Sequence, residues 1–267
     1  MTFHDSTATQ VTNITLNVAN LTKMTQFYTE VLGLTLASKD DALAILNIGN
    51  SGHTVTLRAI TDAKKPAMSE AGLFHIAFLV PTRADLANFL YHAASLGIQV
   101  GGGDHLVSEA LYLSDIEGNG IEVYQDRDAT TWQWEDDYVK MDTLQVDAED
   151  LVNQRTTEGW QGMPSQSKLG HLHLKTANLE SARNFYITQL GLQHISHYPQ
   201  ALFMSTNQYH HHIAVNVWQS TQPRLDNDHS LGLYHIDIYK PNAQNETSIS
   251  PEGFSVTVHS NRTTVPE

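Results

Sequence analysis

Residues 13–34, NITLNVANLTKMTQFYTEVLGL, lie over residues 171–192, HLHLKTANLESARNFYITQLGL, at an offset of 158 with no gap. Leu16 meets Leu174, Asn20 meets Asn178, Phe27-Tyr28 meets Phe185-Tyr186, and Leu32-Gly33-Leu34 meets Leu190-Gly191-Leu192. A second match, residues 72–81 (GLFHIAFLVP) over residues 232–241 (GLYHIDIYKP), follows at an offset of 160 and sets His75 over His235. Self-similarity at a fixed period constrains architecture before any local pattern is weighed. It makes this chain a duplicated pair of units, A-B over residues 10–127 and A′-B′ over residues 168–267. Residues 128–167, which include WQWEDDYVKMDTLQVDAEDL, read as an acidic, solvated linker with one short helix.

Within each unit the pattern is strand, helix, then strands. NITLNV alternates apolar and polar residues as a half-buried strand does. Asn20 stands where a helix N-cap belongs, ahead of Leu21, Met24, Phe27, Tyr28, Val31 and Leu32, which share one face, and Gly33 ends the helix. ALAILNIG and HTVTLRAI follow as short strands. In the second unit a helix is expected over residues 83–96, with LYLSD and GIEVYQD as strands about the turn Glu117-Gly118-Asn119-Gly120.

Composition removes several function classes. No cysteine is present, which excludes disulfides, thiolate nucleophiles, zinc–thiolate sites and iron–sulfur clusters. A metal site must then draw on Asp, Glu, backbone oxygen or the 15 histidines. A net charge of −14 makes nucleic acid and acidic membranes poor partners. No apolar run approaches the ~18–20 residues that span a bilayer. The start, MTFHDSTATQ, lacks the basic and apolar regions of a leader, so a cytoplasmic location is expected. Dinucleotide-binding, P-loop and nucleophile-elbow motifs do not occur.

NFYITQLGL, FHIAFLV and SDIEGNGIEVY resemble the βαβββ modules of the vicinal oxygen chelate superfamily, which holds glyoxalases, extradiol dioxygenases and fosfomycin-resistance enzymes. DHLVSEALYLSDIEGNGIEVYQDR, taken with YHHHIAVNVW, resembles its catechol 2,3-dioxygenase-like ring-cleavage subgroup. The likeness spans nearly the whole chain. It implies an α+β fold of tandem modules that pair into cup-shaped mixed sheets. It also implies two metal-ligand slots per module, the first residue of strand one and a mid-strand residue of strand four. Strand one offers Asn13, His75, His171 and His235; strand four offers Thr56, Glu122, Ala214 and Thr257. The two slots lie 43, 47 and 43 residues apart in the first three modules but 22 apart in the fourth, which is shortened. With those slots, only modules two and three together gather two imidazoles and a carboxylate: His75, Glu122 and His171. Such a set, with open positions opposite, suits Fe(II), or Mn(II) as second choice.

Each residue also has a plainer reading. A histidine between Phe74 and Ile76 is ordinarily a packing residue; recurrence at His235 and the ligand slot favour the metal role for His75. His173 shares the parity of His171 and is its fallback. His235 stands in a cup with no evident carboxylate. Glu122 lies on an apolar strand, where a carboxylate is costly unless paired or metal-bound. If residues 210–216 are one strand, His210, His212, Ala214 and Asn216 share a face, so His212 and then His210 are the expected proton acceptors. Tyr209, Asn216 and the loop residue His105 are expected around the substrate, and Trp218 is a further lining candidate.

The resemblance therefore implies a metal-dependent dioxygenase that opens a catechol- or hydroquinone-type ring with O2. Two alternatives stay open: a glyoxalase-like isomerase or thiol transferase on the same fold, and a non-catalytic module that binds a small aromatic. Isomerases of the superfamily use four protein ligands, typically with two carboxylates, and Ala214 cannot supply the second. The expected partners are a small aromatic and dioxygen, without nucleic acid or membrane, in a homodimer.

Overall fold

The computed structural model of the protein describes residues 3–261. Met1 and Thr2, within the polar start, and residues 262–267, at the end of the fourth unit, lie outside the described residues. Module one runs β1 (Gln10–Val18), α1 (Leu21–Glu30), β2 (Thr35–Lys39), β3 (Leu43–Asn47) and β4 (Thr54–Ala59). Module two runs β5 (Gly72–Leu79), α2 (Arg83–Ser95), β6 (Gly101–Asp104), β7 (Ser108–Ser114) and β8 (Gly120–Asp126). A connecting segment carries the small hairpin β9 (Trp134–Glu135) and β10 (Tyr138–Val139), then α3 (Ala148–Val152). Module three holds β11 (Lys168–Lys175), α4 (Leu179–Ala182), β12 (Gln193–Tyr198), β13 (Ala201–Ser205) and β14 (Ile213–Asn216). Module four has β15 (Gly232–Tyr239), β16 (Glu246–Ile249) and β17 (Ser255–His259), with no helix between its strands.

The modules form two curled mixed sheets. Modules one and four give the order β16-β17-β15-β1-β4-β3-β2; modules two and three give β12-β13-β14-β11-β5-β8-β7-β6. Each sheet thus draws one module from either half of the chain. The central pairs, β1 with β15 and β5 with β11, are antiparallel, while the first and last strands of every module pair in parallel. A parallel pair needs a long crossover, and in the first three modules the helix supplies it. The architecture is α+β, with modules two and three sharing a sheet as the resemblance implied.

Local chemistry explains the helices. Asn20 Oδ1 accepts from the amide of Lys23 at 3.0 Å, capping α1, whose Leu21, Met24, Phe27 and Tyr28 are buried against the sheet. Thr82 and Asp85 form a reciprocal capping box at the start of α2. In module three the repeated Asn178 caps α4, but the helix then continues over Arg183–Gln189 with the wider π winding.

Alternation decides what each face of the eight-stranded sheet presents. Ile76 and Phe78, Leu172 and Leu174, and Ile121 and Val123 enter the main core. His75, His171, His173 and Glu122 alternate with them, so they lie on the opposite, concave face. A bulge between Leu169 and His171 leaves Gly170 unpaired. A Cβ at Gly170 would collide with the Tyr124 hydroxyl, so only glycine lets that tyrosine lie beneath His171.

The connecting segment is held down rather than free in solvent. Arg83 bonds Glu109 at 2.5 Å and Asp150 of α3 at 2.6 Å, and Leu144 pairs with Asp104 through both backbone groups. Among the described residues no helix is long and apolar enough to cross a membrane.

Candidate metal centre

β5, β8 and β11 lie side by side, and their concave positions converge. His75 Nε2 lies 2.9 Å from Glu122 Oε2, His171 Nε2 lies 3.2 Å from the same oxygen, and the two Nε2 atoms are 3.4 Å apart. Ligands ~2.1 Å from one ion and at right angles to each other are roughly 3 Å apart. The donor atoms therefore fit a common ion, and the three residues are the one His/Asp/Glu group among those described that is close enough to hold a metal.

The electrostatics suit a cation. All three side chains are more than nine-tenths buried. Burial alone pushes the Glu122 carboxyl up, but His171 and His75 beside it hold it well below the usual carboxylate range. Burial draws His171 down to about 4, against the opposing pull of Glu122. At neutral pH this leaves an ionised carboxylate and a neutral His171 imidazole with bare lone pairs to offer. Lone pairs facing one another at these separations repel unless a positive centre lies between them.

His75 and Glu122 open on a cavity of about 370 Å³ whose walls include Phe74, Phe203, Trp218, Tyr198 and Met141. Polar groups enter at three points. Tyr112, paired with Glu122 across the β7–β8 hairpin, places its hydroxyl 2.5 Å from His105 Nε2. His105 Nδ1 lies 2.9 Å from the Asp142 carbonyl and must donate to it, so in the singly protonated ring Nε2 accepts from Tyr112. Burial and the neighbouring Glu122 raise the Tyr112 pKa well above its ordinary value, keeping the phenol protonated. His173 meets the Asn216 amide at 2.9 Å, and the His211 ring packs tilted against His171 with centroids 3.9 Å apart.

A model of the Glyoxalase/Bleomycin resistance protein/Dioxygenase superfamily matches residues 10–123. Catechol-2,3-dioxygenase of Bacillus subtilis (strain 168) is 38% identical over 228 residues, covering 83% of this chain and 80% of that protein. The chain belongs to this superfamily. Biphenyl-2,3-diol 1,2-dioxygenase 3 of Rhodococcus globerulus is a second relative, 31% identical over 124 residues, 45% of this chain and 65% of its own length. Glyoxalase I from Zea mays superposes with a TM-score of 0.59 at 14% identity, over 94% of this chain and 92% of that one. The cppA protein from Streptococcus pneumoniae TIGR4 does so with 0.61 at 11%, over 94% and 98%. These two structures bear on the superfamily fold alone.

Within this superfamily cup, the structure brings together His75, Glu122 and His171 and sets His105 on the cavity wall. The other sequence candidates lie elsewhere. β14 begins only at Ile213, after a turn in which Asn207 and Gln208 take left-handed φ of 59° and 58°. Strand alternation therefore does not extend to the histidine run, and His210 and His212 do not line the cavity; His211 does. His212 lies 2.8 Å from the Phe3 carbonyl through Nε2, accepts from the Thr206 amide through Nδ1, and is drawn by burial to about 3. Both its nitrogens are occupied away from the triad. Tyr209 packs against Phe3 and His4, outside the cavity. Asn216 stands behind His173 rather than on the wall, and its bond to Nε2 turns that nitrogen from the triad.

Three features escaped sequence reasoning. Tyr112 was accessible to it, because the Glu117–Gly120 turn sets the hairpin register that pairs it with Glu122. Met141, Asp142 and Thr143 line the cavity from a segment whose acidity reads as solvated surface. In the other sheet, Asp237 provides a carboxylate 3.1 Å from His235 Nε2, where none was evident.

Proposed function

We propose that the protein is a metal-dependent dioxygenase that cleaves a catechol-type aromatic ring with O2, with His75, His171 and Glu122 as the metal ligands. The observation that carries this reading is the convergence of two Nε2 atoms and one carboxylate oxygen at the floor of an aromatic-walled cavity. Its descent alongside catechol-2,3-dioxygenase supports the substrate class. Two nitrogens and one oxygen on one side of an ion match Fe(II), with Mn(II) the nearest substitute. When bound, the metal supplies Lewis acidity and holds two reactants in contact, leaving open positions for both.

The chain's own residues supply the rest. Phe74, Phe203 and Trp218 accept a flat ring on its faces and edges. The volume, toward the lower end of the ~300–1,000 Å³ usual for ligand pockets, suits a compact aromatic. His211 takes the role first given to His212 and His210. Its ring lies against His171 in a buried site, where burial lowers its pKa well below the ordinary value, so it stands neutral and ready to accept a substrate hydroxyl proton. Tyr112, whose hydrogen goes to His105, presents its hydroxyl oxygen beside Glu122 as an acceptor that orients a substrate hydroxyl. A four-ligand isomerase site finds no second carboxylate here, since the β14 slot is Ala214.

The decisive experiment is oxygen consumption by anaerobically Fe(II)-loaded protein given catechols and hydroquinones. Stoichiometric uptake with a ring-opened product is expected. Turnover of an α-keto aldehyde with thiol, without oxygen uptake, would replace this reading.

A further inference from the structure

The mechanism uses His211 but leaves unexplained the part-buried carboxylate and the buried imidazole behind it. Asp126, the last residue of β8, lies 2.8 Å from His210 Nε2 through Oδ1. His210 Nδ1 lies 2.8 Å from His211 Nδ1. The carboxylate can only accept, so His210 Nε2 carries a hydrogen, and in the singly protonated ring Nδ1 is then an acceptor. His211 must therefore donate through Nδ1. With Nδ1 taken, the nitrogen left to His211 for the cavity it lines is Nε2, without a hydrogen. Each link follows from the one before, and the chain begins at Asp126.

We infer that Asp126, acting through His210, is a positioning residue that locks His211 in the tautomer whose Nε2 is free to accept a proton from the substrate. The arrangement has the logic of a carboxylate orienting an imidazole base, extended by one ring. Asp126 is itself held. The Tyr209 hydroxyl donates to the same Oδ1 at 3.2 Å, and the Tyr124 hydroxyl braces Tyr209 at 2.6 Å. Gly170 makes room for Tyr124, so the bulge in β11 and the tautomer of His211 belong to one network. Asp126 also borders a second cleft with Lys168.

This inference rests on the dioxygenase reading for its consequence but not for its geometry, and the test separates the two. ¹⁵N-labelled protein loaded with diamagnetic Zn(II) should show His211 protonated at Nδ1 and bare at Nε2. Asp126→Ala should mix the two tautomers, retain metal, and lower kcat about 30-fold with KM within about 3-fold. Asp126→Glu should recover part of that loss. A wild-type His211 carrying its hydrogen on Nε2 would overturn the inference without any variant. So would an Asp126→Ala protein whose tautomer and kcat match wild type. Should the wild type consume no oxygen with any aromatic diol, the proposed function fails, and the tautomer measurement still judges the positioning role.

Discussion

The two sheets share a plan and differ in what their concave faces carry. In the eight-stranded sheet, His75, His171 and Glu122 bring two ring nitrogens and one carboxylate oxygen within 3.4 Å of one another. In the seven-stranded sheet the corresponding positions are His235, Asn13 and Thr257, and Asp237 lies where the other sheet has Ala77. Here the polar groups satisfy one another. Asn13 donates to Asp237 Oδ2 at 2.7 Å and accepts from Thr54 and Thr56 at 2.7 and 3.2 Å, while His235 lies 3.1 Å from Asp237. Asp237 stays below its ordinary pKa although burial opposes this, because His235 and Asn13 bond it. Exposure differs in the same direction: the Asp237 side chain is 27% accessible and that of Glu122 only 3%. Two cups built from one repeat can thus hold either a completed hydrogen-bond network or a set of donors that needs an ion. A backbone does not decide which.

The largest effect expected concerns that contrast. Glu122→Ala should lower metal affinity by more than about 100-fold, beyond what outer-shell losses typically cause, whereas Asp237→Ala should leave the metal content unchanged. Elemental analysis of both variants decides this; metal lost from the Asp237 variant would mean the second cup is a site in its own right. Next in size, His211→Gln should cost kcat roughly 100-fold. His212→Gln should cost little in kcat and about 1 kcal/mol in stability through its lost bond to Phe3. Equal kinetic defects would erase the distinction between neighbouring histidines drawn above.

Acid should unfold the metal-free protein early. His171 is drawn to about 4, and His53 and His212 to about 3, in each case chiefly by burial. Unfolding returns them to ~6.5, so between these values the unfolded chain binds protons that the folded one refuses. Stability therefore falls as pH drops below about 6.5, by about 1 kcal/mol per pH unit for each histidine. Urea midpoints from pH 7 to 4 measure the slope, and His212→Gln should flatten it by about 1 kcal/mol per pH unit, one histidine's share. The smallest effect probes the bulge shared by both central strands. Gly170→Ala should destabilise by ~1–3 kcal/mol through its clash with Tyr124, more than Thr12→Ala at the matching bulge in β1, which adds no atom there. Denaturant titration compares the two, and equal losses would mean that the tyrosine yields.

Much of the fold was legible because its signals are local or repeated. The 158-residue offset carries the duplication, Asn20 and Gly33 bound a helix, and the Glu117–Gly120 turn aligns β7 with β8. The pairing of module two with module three became legible once the resemblance implied ligand slots. The three-histidine run was not readable in this way. Alternation predicts a face only for residues already in a strand, and whether β14 starts at 210 or at 213 depends on distant contacts: Phe3 holding His212 and Asp126 holding His210. Met141 to Thr143 were hidden for a similar reason, since an acidic segment gives no sign of being pinned by Arg83 and Asp104 across a cavity mouth.

From sequence come the modular α+β plan and the shortened fourth unit, marked by short-range patterns and a repeat, and, through the ligand slots that the resemblance implied, the candidate set His75, Glu122 and His171. Tertiary structure decided which histidine faces the cavity, how its ring is held and why the second cup is self-contained. Those outcomes depend on hydrogen-bond partners 84 to 224 residues away in sequence, and no local periodicity records a partner at that distance.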